Sequence, residues 1–222
     1  VLVTRLGYMI YCKNIRPENI LTVTYTVAAT RDMKARFVRF FGEEHADKLT
    51  FRTINGLCAV AIHHYARKKG TQPFALADDD ARLNAVVREL LAKGGGGYPS
   101  DQQVKEARTC ITFCKNMMFS DAEVEAQKVD GMDFPAVYKG YQAFLLKNRL
   151  MDFDDQMVFT YRIFRQYPDI LAHFQRRWPY LCVDEAQDTS RIQHAILRLL
   201  AGGSRNIFLV GDEDQSIYGF RA

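Results

Sequence analysis

Tyr180-Leu181-Cys182-Val183-Asp184-Glu185-Ala186-Gln187-Asp188-Thr189 is the stretch on which the reading of this chain turns. Four residues suited to a buried strand run directly into two adjacent acids, and a polar turn then leads to Ile192, Ile196, Leu199 and Leu200 at helical spacing. The pattern predicts a strand, an acidic tip and a helix. In an open parallel sheet, ligands bind at the carboxyl ends of the strands, so paired carboxylates at such a tip suit a hard cation and an activated water. Taken alone, the same residues would serve equally well as a solvated acidic turn.

The rest of the chain supplies the sheet. Asn206-Ile207-Phe208-Leu209-Val210 reads as a second buried strand, with Phe208 in the core, and it delivers Gly211-Asp212-Glu213-Asp214-Gln215-Ser216 to the same kind of edge. Near the start, Ile20-Leu21-Thr22-Val23-Thr24-Tyr25 is rich in β-branched residues, and Thr26 has the character of an N-cap. The helix that follows carries Met33, Phe37, Phe40 and Phe41 on one side and stops at Gly42. A short strand near Leu49-Thr50-Phe51-Arg52 leads through Thr53-Ile54-Asn55-Gly56 into a helix with Leu57, Val60, Ala61 and Tyr65. Strand, helix, strand, helix is the rhythm of a parallel sheet covered by helices. Leu2, Leu6, Met9 and Ile10 place residues 1–12 in a helix; with no initiator Met and no cap before Val1, the chain is expected to be a piece of a longer one.

From Thr71 the rhythm changes. Leu83, Val86, Val87, Leu90 and Leu91 make one amphipathic helix, a second spans about 104–118 and a third about 134–150. The expected division is therefore an α/β core formed by residues 1–70 and 150–222, with 71–149 as an all-helical insertion. Gly94 to Gly97 is no phosphate cradle, because Tyr98-Pro99-Ser100 follows it where Gly-Lys-Ser/Thr entering a helix would be needed. Asp152-Phe153-Asp154-Asp155 is no EF-hand, since Met157 and Ile163 stand where glycine and glutamate are required. These acids instead cap the helix carrying Met157, Tyr161 and Phe164.

Composition leaves function open. Of 222 residues, 48% are hydrophobic and 25% charged, which is ordinary for a globular protein with a real core. No run is apolar enough to span a bilayer and no signal pattern opens the chain, so a cytoplasmic location is expected. Five scattered cysteines argue for reduced thiols, with Cys110 and Cys114 as packing residues rather than metal ligands. His63-His64, pointing about 100° apart on a helix, makes a poor metal pair. A net charge of +4 permits a nucleic-acid partner without requiring one.

Two segments 28 residues apart, Val183-Asp184-Glu185-Ala186-Gln187-Asp188-Thr189 and Gly211-Asp212-Glu213-Asp214-Gln215-Ser216-Ile217-Tyr218-Gly219-Phe220-Arg221, closely resemble motifs II and III of the superfamily 1 UvrD/Rep/PcrA DNA helicases. Thr24-Tyr25-Thr26 through Met33 is similar to motif Ia, Thr53 to Cys58 to motif Ib, and Leu150 to Asp155 to the family's Leu-Asp-Phe-Asp-Asp run. The resemblance implies a RecA-like P-loop NTPase domain, α/β with a parallel sheet flanked by helices, holding an inserted helical subdomain. It implies ATP and Mg²⁺ as cofactors, with Asp184 on the metal, Glu185 as the base that polarises the attacking water, and Gln215 sensing the γ-phosphate. It also implies single-stranded DNA and DNA junctions as partners. Tyr218, Phe220 and Arg221 would lie on the strand's track with Tyr25, Thr26, Thr53 and Asn55, where aromatic faces stack on bases of any sequence.

The chain departs from the family at two motifs. Relatives commonly carry Thr-Asn-Lys-Ala-Ala in motif Ia, and here it is Thr26-Val27-Ala28-Ala29-Thr30; Phe-His-Ser of motif Ib is Ile54-Asn55-Gly56. No Gly-Lys-Ser/Thr occurs in the chain, and the motifs of the second RecA-like domain would follow Ala222. The expectation is part of an ATP-driven DNA translocase or helicase of repair or replication, with little hydrolysis by this segment alone. A degenerate helicase-like DNA-binding or scaffolding subunit without ATPase activity and a metal-dependent nuclease are the rivals, and Gln187, Gln215 and Ser216 suit nucleotide sensing better than two-metal cleavage.

Overall fold

In the computed structural model, which describes residues 1–94 and 98–212, the chain opens with α1 (Leu2–Gly7), and its end widens into a π-helical segment, Tyr8–Cys12. Leu2, Leu6, Met9 and Ile10 are all buried, as their spacing requires. Strand β1 (Ile20–Thr24) is buried along its whole length, which is what a central strand covered on both faces demands. Thr26 then caps α2 (Val27–Phe41), its Oγ1 accepting the Ala29 N–H at 3.0 Å, and Gly42 ends the helix at φ +81°. Met33 and Phe37 are buried, but Phe40 is 68% exposed. Phe41 turns inward instead, its ring lying where a Cβ on Gly7 would be and stacking on Tyr11 at 5.7 Å, so Phe40 is left at the margin of the face.

Strand β2 (Thr50–Thr53) leads into α3 (Ile54–Lys69), and β3 (Ala75–Leu76) precedes α4 (Asp80–Lys93), α5 (Asp101–Asn116), α6 (Asp121–Glu125) and α7 (Phe134–Lys147). These last four helices pack around their own cluster, with Leu83, Val87, Val104, Ile111, Phe134 and Tyr141 at its centre. The stretch 71–149 is therefore not wholly helical: β3 pairs in parallel with β4 (Leu150–Met151), tying the start of the helical lobe to its end. Two residues are too few to carry an alternating pattern, which is why the strand is silent in the sequence.

The chain returns through α8 (Phe153–Gln166) and α9 (Pro168–Arg177), the second of which the sequence reading did not separate from the first. Its signals are present: Pro168 at the first helical position, Ile170 and Phe174 four apart and buried, and Arg176-Arg177 in the last turn. Strand β5 (Tyr180–Val183), α10 (Arg191–Ala201) and β6 (Asn206–Leu209) follow.

The main sheet runs β2-β1-β5-β6 with every neighbouring pair parallel. Alternate residues leave it on opposite faces. Leu21, Val23, Leu181 and Val183 join Phe164, Phe174 and Trp178 under α3, α8, α9 and α10, whereas Ile20 and Cys182 join Leu6, Met33 and Phe37 under α1 and α2. Phe208 is only partly buried against this second cluster, with the Arg5 guanidinium 5.2 Å from its ring, because β6 is the outermost strand among the described residues. Among the described residues no helix is long and apolar enough to cross a membrane.

Candidate functional site

Because the four strands are parallel, their carboxyl ends meet along one edge: Tyr25 and Thr26 after β1, Thr53 at the end of β2, Asp184 and Glu185 after β5, Gly211 and Asp212 beyond β6. The acidic tip is held from both sides. The Asp184 N–H donates to the Val23 carbonyl at 2.9 Å, the Val210 N–H to Val183 at 2.8 Å, and the Ala186 N–H to Val210 at 2.9 Å. Glu185 occupies the left-handed region at φ +52°, a conformation that costs a residue other than glycine roughly 1–2 kcal/mol. This kink separates the acids, leaving Asp184 half-buried and Glu185 exposed.

Burial, and then the neighbouring Glu185 charge, push the Asp184 carboxyl above its ordinary pKa. Among the described residues no lysine, arginine or histidine forms an ion pair with either acid. The N-terminal ammonium and Arg36 act on Asp184 only from a distance, and less than burial and Glu185 do. Among the described residues no third His, Cys, Asp or Glu joins the pair as a candidate ligand, and two carboxylates alone still suit magnesium, which binds through one or two carboxylates and keeps several waters. No phosphate cradle of the Gly-Lys-Ser/Thr type accompanies them in this chain.

Gln187 organises the space between β5 and β6, a role its position in the sequence did not reveal. Its Nε2 donates to Glu185 Oε2 at 2.7 Å and its Oε1 accepts the Asp212 N–H at 3.1 Å. Gly211 makes this possible, since a Cβ there would lie 2.5 Å from Gln187 Oε1 and 3.1 Å from the Gln187 nitrogen. The turn closes as Thr189 Oγ1 donates to the Ala186 carbonyl at 2.6 Å, with His194 Nε2 2.6 Å from the same hydroxyl.

The residues expected to meet DNA divide. Thr26 and Thr53 both serve as helix caps, Thr53 Oγ1 accepting the Gly56 N–H at 3.0 Å, so the amino termini of α2 and α3 point at the edge and favour anions there. Tyr25 is half-buried and Thr26 exposed. Asn55 also has a structural contact: its Nδ2 donates to the Phe153 carbonyl at 2.7 Å, joining α3 to α8. Gln215, Tyr218, Phe220 and Arg221 lie outside the described residues.

Asp152 does cap α8, accepting the Asp155 N–H at 2.7 Å in a reciprocal capping box. The sequence did not reveal its partner, the buried Lys115 of α5, which pairs with both carboxylates.

The sequence profile of the UvrD/REP helicase N-terminal domain matches residues 1–222. The chain is 33% identical over 226 residues to an ATP-dependent DNA helicase PcrA of Staphylococcus epidermidis ATCC 35984, and 31% identical over 226 residues to that of Staphylococcus aureus COL. Each alignment takes in 100% of this chain and 30% of the relative, so the chain spans just under a third of the length of these relatives.

Proposed function

Since the chain belongs to the UvrD/REP helicase N-terminal domain family, we propose that it forms the metal-binding and nucleophile-activating part of an ATP-driven motor acting on single-stranded DNA and DNA junctions. The observation that carries this reading is the acid pair at the end of β5, kinked apart at Glu185 and in no ion pair among the described residues. Asp184 holds magnesium and Glu185 orients the attacking water. Bound magnesium and nucleotide supply a cation that offsets phosphate charge and a γ-phosphoryl group to be transferred. Gln187 fixes the Glu185 carboxylate through its 2.7 Å hydrogen bond, so the base needs little reorganisation. Gln215 reports the γ-phosphate to the DNA track, made by Tyr25, Thr26, Thr53, Asn55, Tyr218, Phe220 and Arg221. Residues 71–149 act as an inserted subdomain, a division supported by their separate core. The phosphate cradle and the second RecA-like domain come from the remainder of the protein.

In the full protein, Glu185→Gln should lower DNA-stimulated ATP turnover by about 100-fold or more while DNA binding persists. Unchanged turnover would overturn the assignment. The 222-residue chain by itself should hydrolyse ATP negligibly, and substantial turnover abolished by Glu185→Gln would contradict that. A second reading, a helicase-like scaffold without ATPase activity, draws on Val27, 57% exposed at the start of α2 where relatives carry a polar residue. DNA binding without any ATP turnover by the full protein would favour it.

A further inference from the structure

A cavity of about 560 Å³ opens between α3 and α9, lined by Arg52, His63, His64, Arg67, His173 and Arg177 among others. It includes none of the residues assigned above to the acids or the DNA track, and no carboxylate lines it. Arg52 reaches it from β2, and its Nε is buried without a hydrogen-bond partner among the described residues. Among those residues Arg52, Arg67 and Arg177 form no ion pair with any carboxylate. The nearest acid on α9, Asp169, is already bound to Lys68.

The histidines fill in the chemistry. His64 and His173 stack face to face with ring centroids 4.2 Å apart, and His64 Nδ1 accepts from Arg67 Nη2 at 3.4 Å, which leaves Nε2–H as a donor. His63 Nδ1 donates to the Ala59 carbonyl at 2.7 Å. Burial first, then the charge of His173 and the Arg67 and Lys68 cations, holds His64 below the ordinary histidine pKa, with Asp169 opposing; burial first, then Arg177, Arg176, Arg67 and Lys68, does the same to His173. Guanidinium forks and imidazole donors lining one space, with no carboxylate among the lining residues, suit the charge and hydrogen-bonding chemistry of a phosphate.

We propose that this cavity binds a phosphate group, supplied either by a nucleic-acid backbone or as free phosphate. An anion there would favour the protonated histidines, so binding should tighten as pH falls. Arg52 from β2, Arg67 and Lys68 from α3, Asp169, Arg176 and Arg177 from α9, and the charge each of His64 and His173 presents to the other set this response.

The test follows the imidazole nitrogens of the 222-residue chain by NMR during titration with inorganic phosphate at constant ionic strength, against chloride. Phosphate should shift the His64 and His173 signals and raise both pKa values. Arg67→Gln with Arg177→Gln should weaken the effect at least about tenfold. Both arginines are exposed, and an unchanged unfolding midpoint confirms the variant's fold. In a parallel titration with an oligothymidine, equal perturbation, with a salt dependence whose slope falls by about one in the variant, identifies a backbone phosphate. Perturbation by inorganic phosphate alone identifies the free ion. Only the oligonucleotide arm rests on the DNA reading, so its failure with the phosphate arm intact is separable. Histidines indifferent to both ligands, or a variant that binds like the wild type, would overturn the proposal.

Discussion

The Lys115 ammonium lies 2.6 Å from Oδ2 of Asp152, both groups buried, where α5 of the helical lobe meets the start of α8. Asp155 completes the contact at 2.8 Å, and the Tyr141 hydroxyl of α7 donates to the same Asp152 oxygen at 3.0 Å. Beside them Asp154 accepts from Thr112 at 2.9 Å and Asn116 at 2.8 Å. The capping box of one lobe is thus also the charge network that fastens the other. Removing one partner of such a network strands the rest without compensation. Lys115→Met should therefore destabilise the chain by about 3–5 kcal/mol in urea unfolding at neutral pH. A loss below about 1 kcal/mol would show that the lobes are held by apolar packing alone.

The same variant should reverse part of the pH response. Burial raises the Asp152 carboxyl, but Lys115 outweighs it and holds the folded pKa below the ordinary 3.8, so this group's stabilisation is present above that value and lost as pH falls through the folded pKa. Asp154 and Asp155 are raised, chiefly by burial, and act in the opposite sense. Without the ammonium, Asp152 joins the raised groups. Lys115→Met should gain stability as pH is lowered from 7 toward 5, by more than the wild type does, and equal slopes of unfolding free energy against pH would refute this.

What the sequence disclosed and what it hid follow one physical division. Strands covered on both faces read as apolar runs, so β1 and β5 were legible, and caps are local, so Thr26 and Asp152 announced themselves three residues before their partners. Lys115 stands between Cys114 and Asn116 with nothing to mark it, because its partners lie 37 and 40 residues further on. His64 and His173 meet across an even longer separation, and Gln187 acquires its bridging role only because β6 lies beside β5. The motif around Asn55 points to DNA and gives no sign of the bond its amide makes to a carbonyl 98 residues away.

Asn55 therefore has a structural share that can be measured apart from DNA. Asn55→Ala removes the donor to the Phe153 carbonyl and should cost about 1 kcal/mol of stability in the absence of DNA. Thermal or urea unfolding decides it. A variant as stable as the wild type that still loses DNA affinity would restore Asn55 to a contact role alone.

Gly211 is a second test of the acid edge. In Gly211→Ala the new methyl would meet Gln187 Oε1 at 2.5 Å, so Gln187 must leave its place between Glu185 and the Asp212 amide. Overpacking of this kind costs about 1–3 kcal/mol. The full protein should lose ATP turnover more than DNA affinity, measured side by side. If both survive, Gln187 does not position the base.

Glu185 separates backbone from side chain at the same edge. At φ +52° a glycine avoids the left-handed penalty of roughly 1–2 kcal/mol but adds about 0.5–1 kcal/mol of unfolded-state entropy. Glu185→Gly should therefore be as stable as the wild type or more so by up to about 1 kcal/mol, while Glu185→Val, with a β-branched side chain in that region, should be clearly less stable. Urea unfolding of the three proteins gives the order Gly, Glu, Val. The glycine variant in the full protein should nonetheless lose ATP turnover to the extent that Glu185→Gln does, because both remove the carboxylate that orients water and only one relaxes the chain. If Glu185→Gly instead falls below the wild type in stability, the kink after β5 is held by the Glu185 side chain and its bond to Gln187 rather than imposed by the clamped strands on either side.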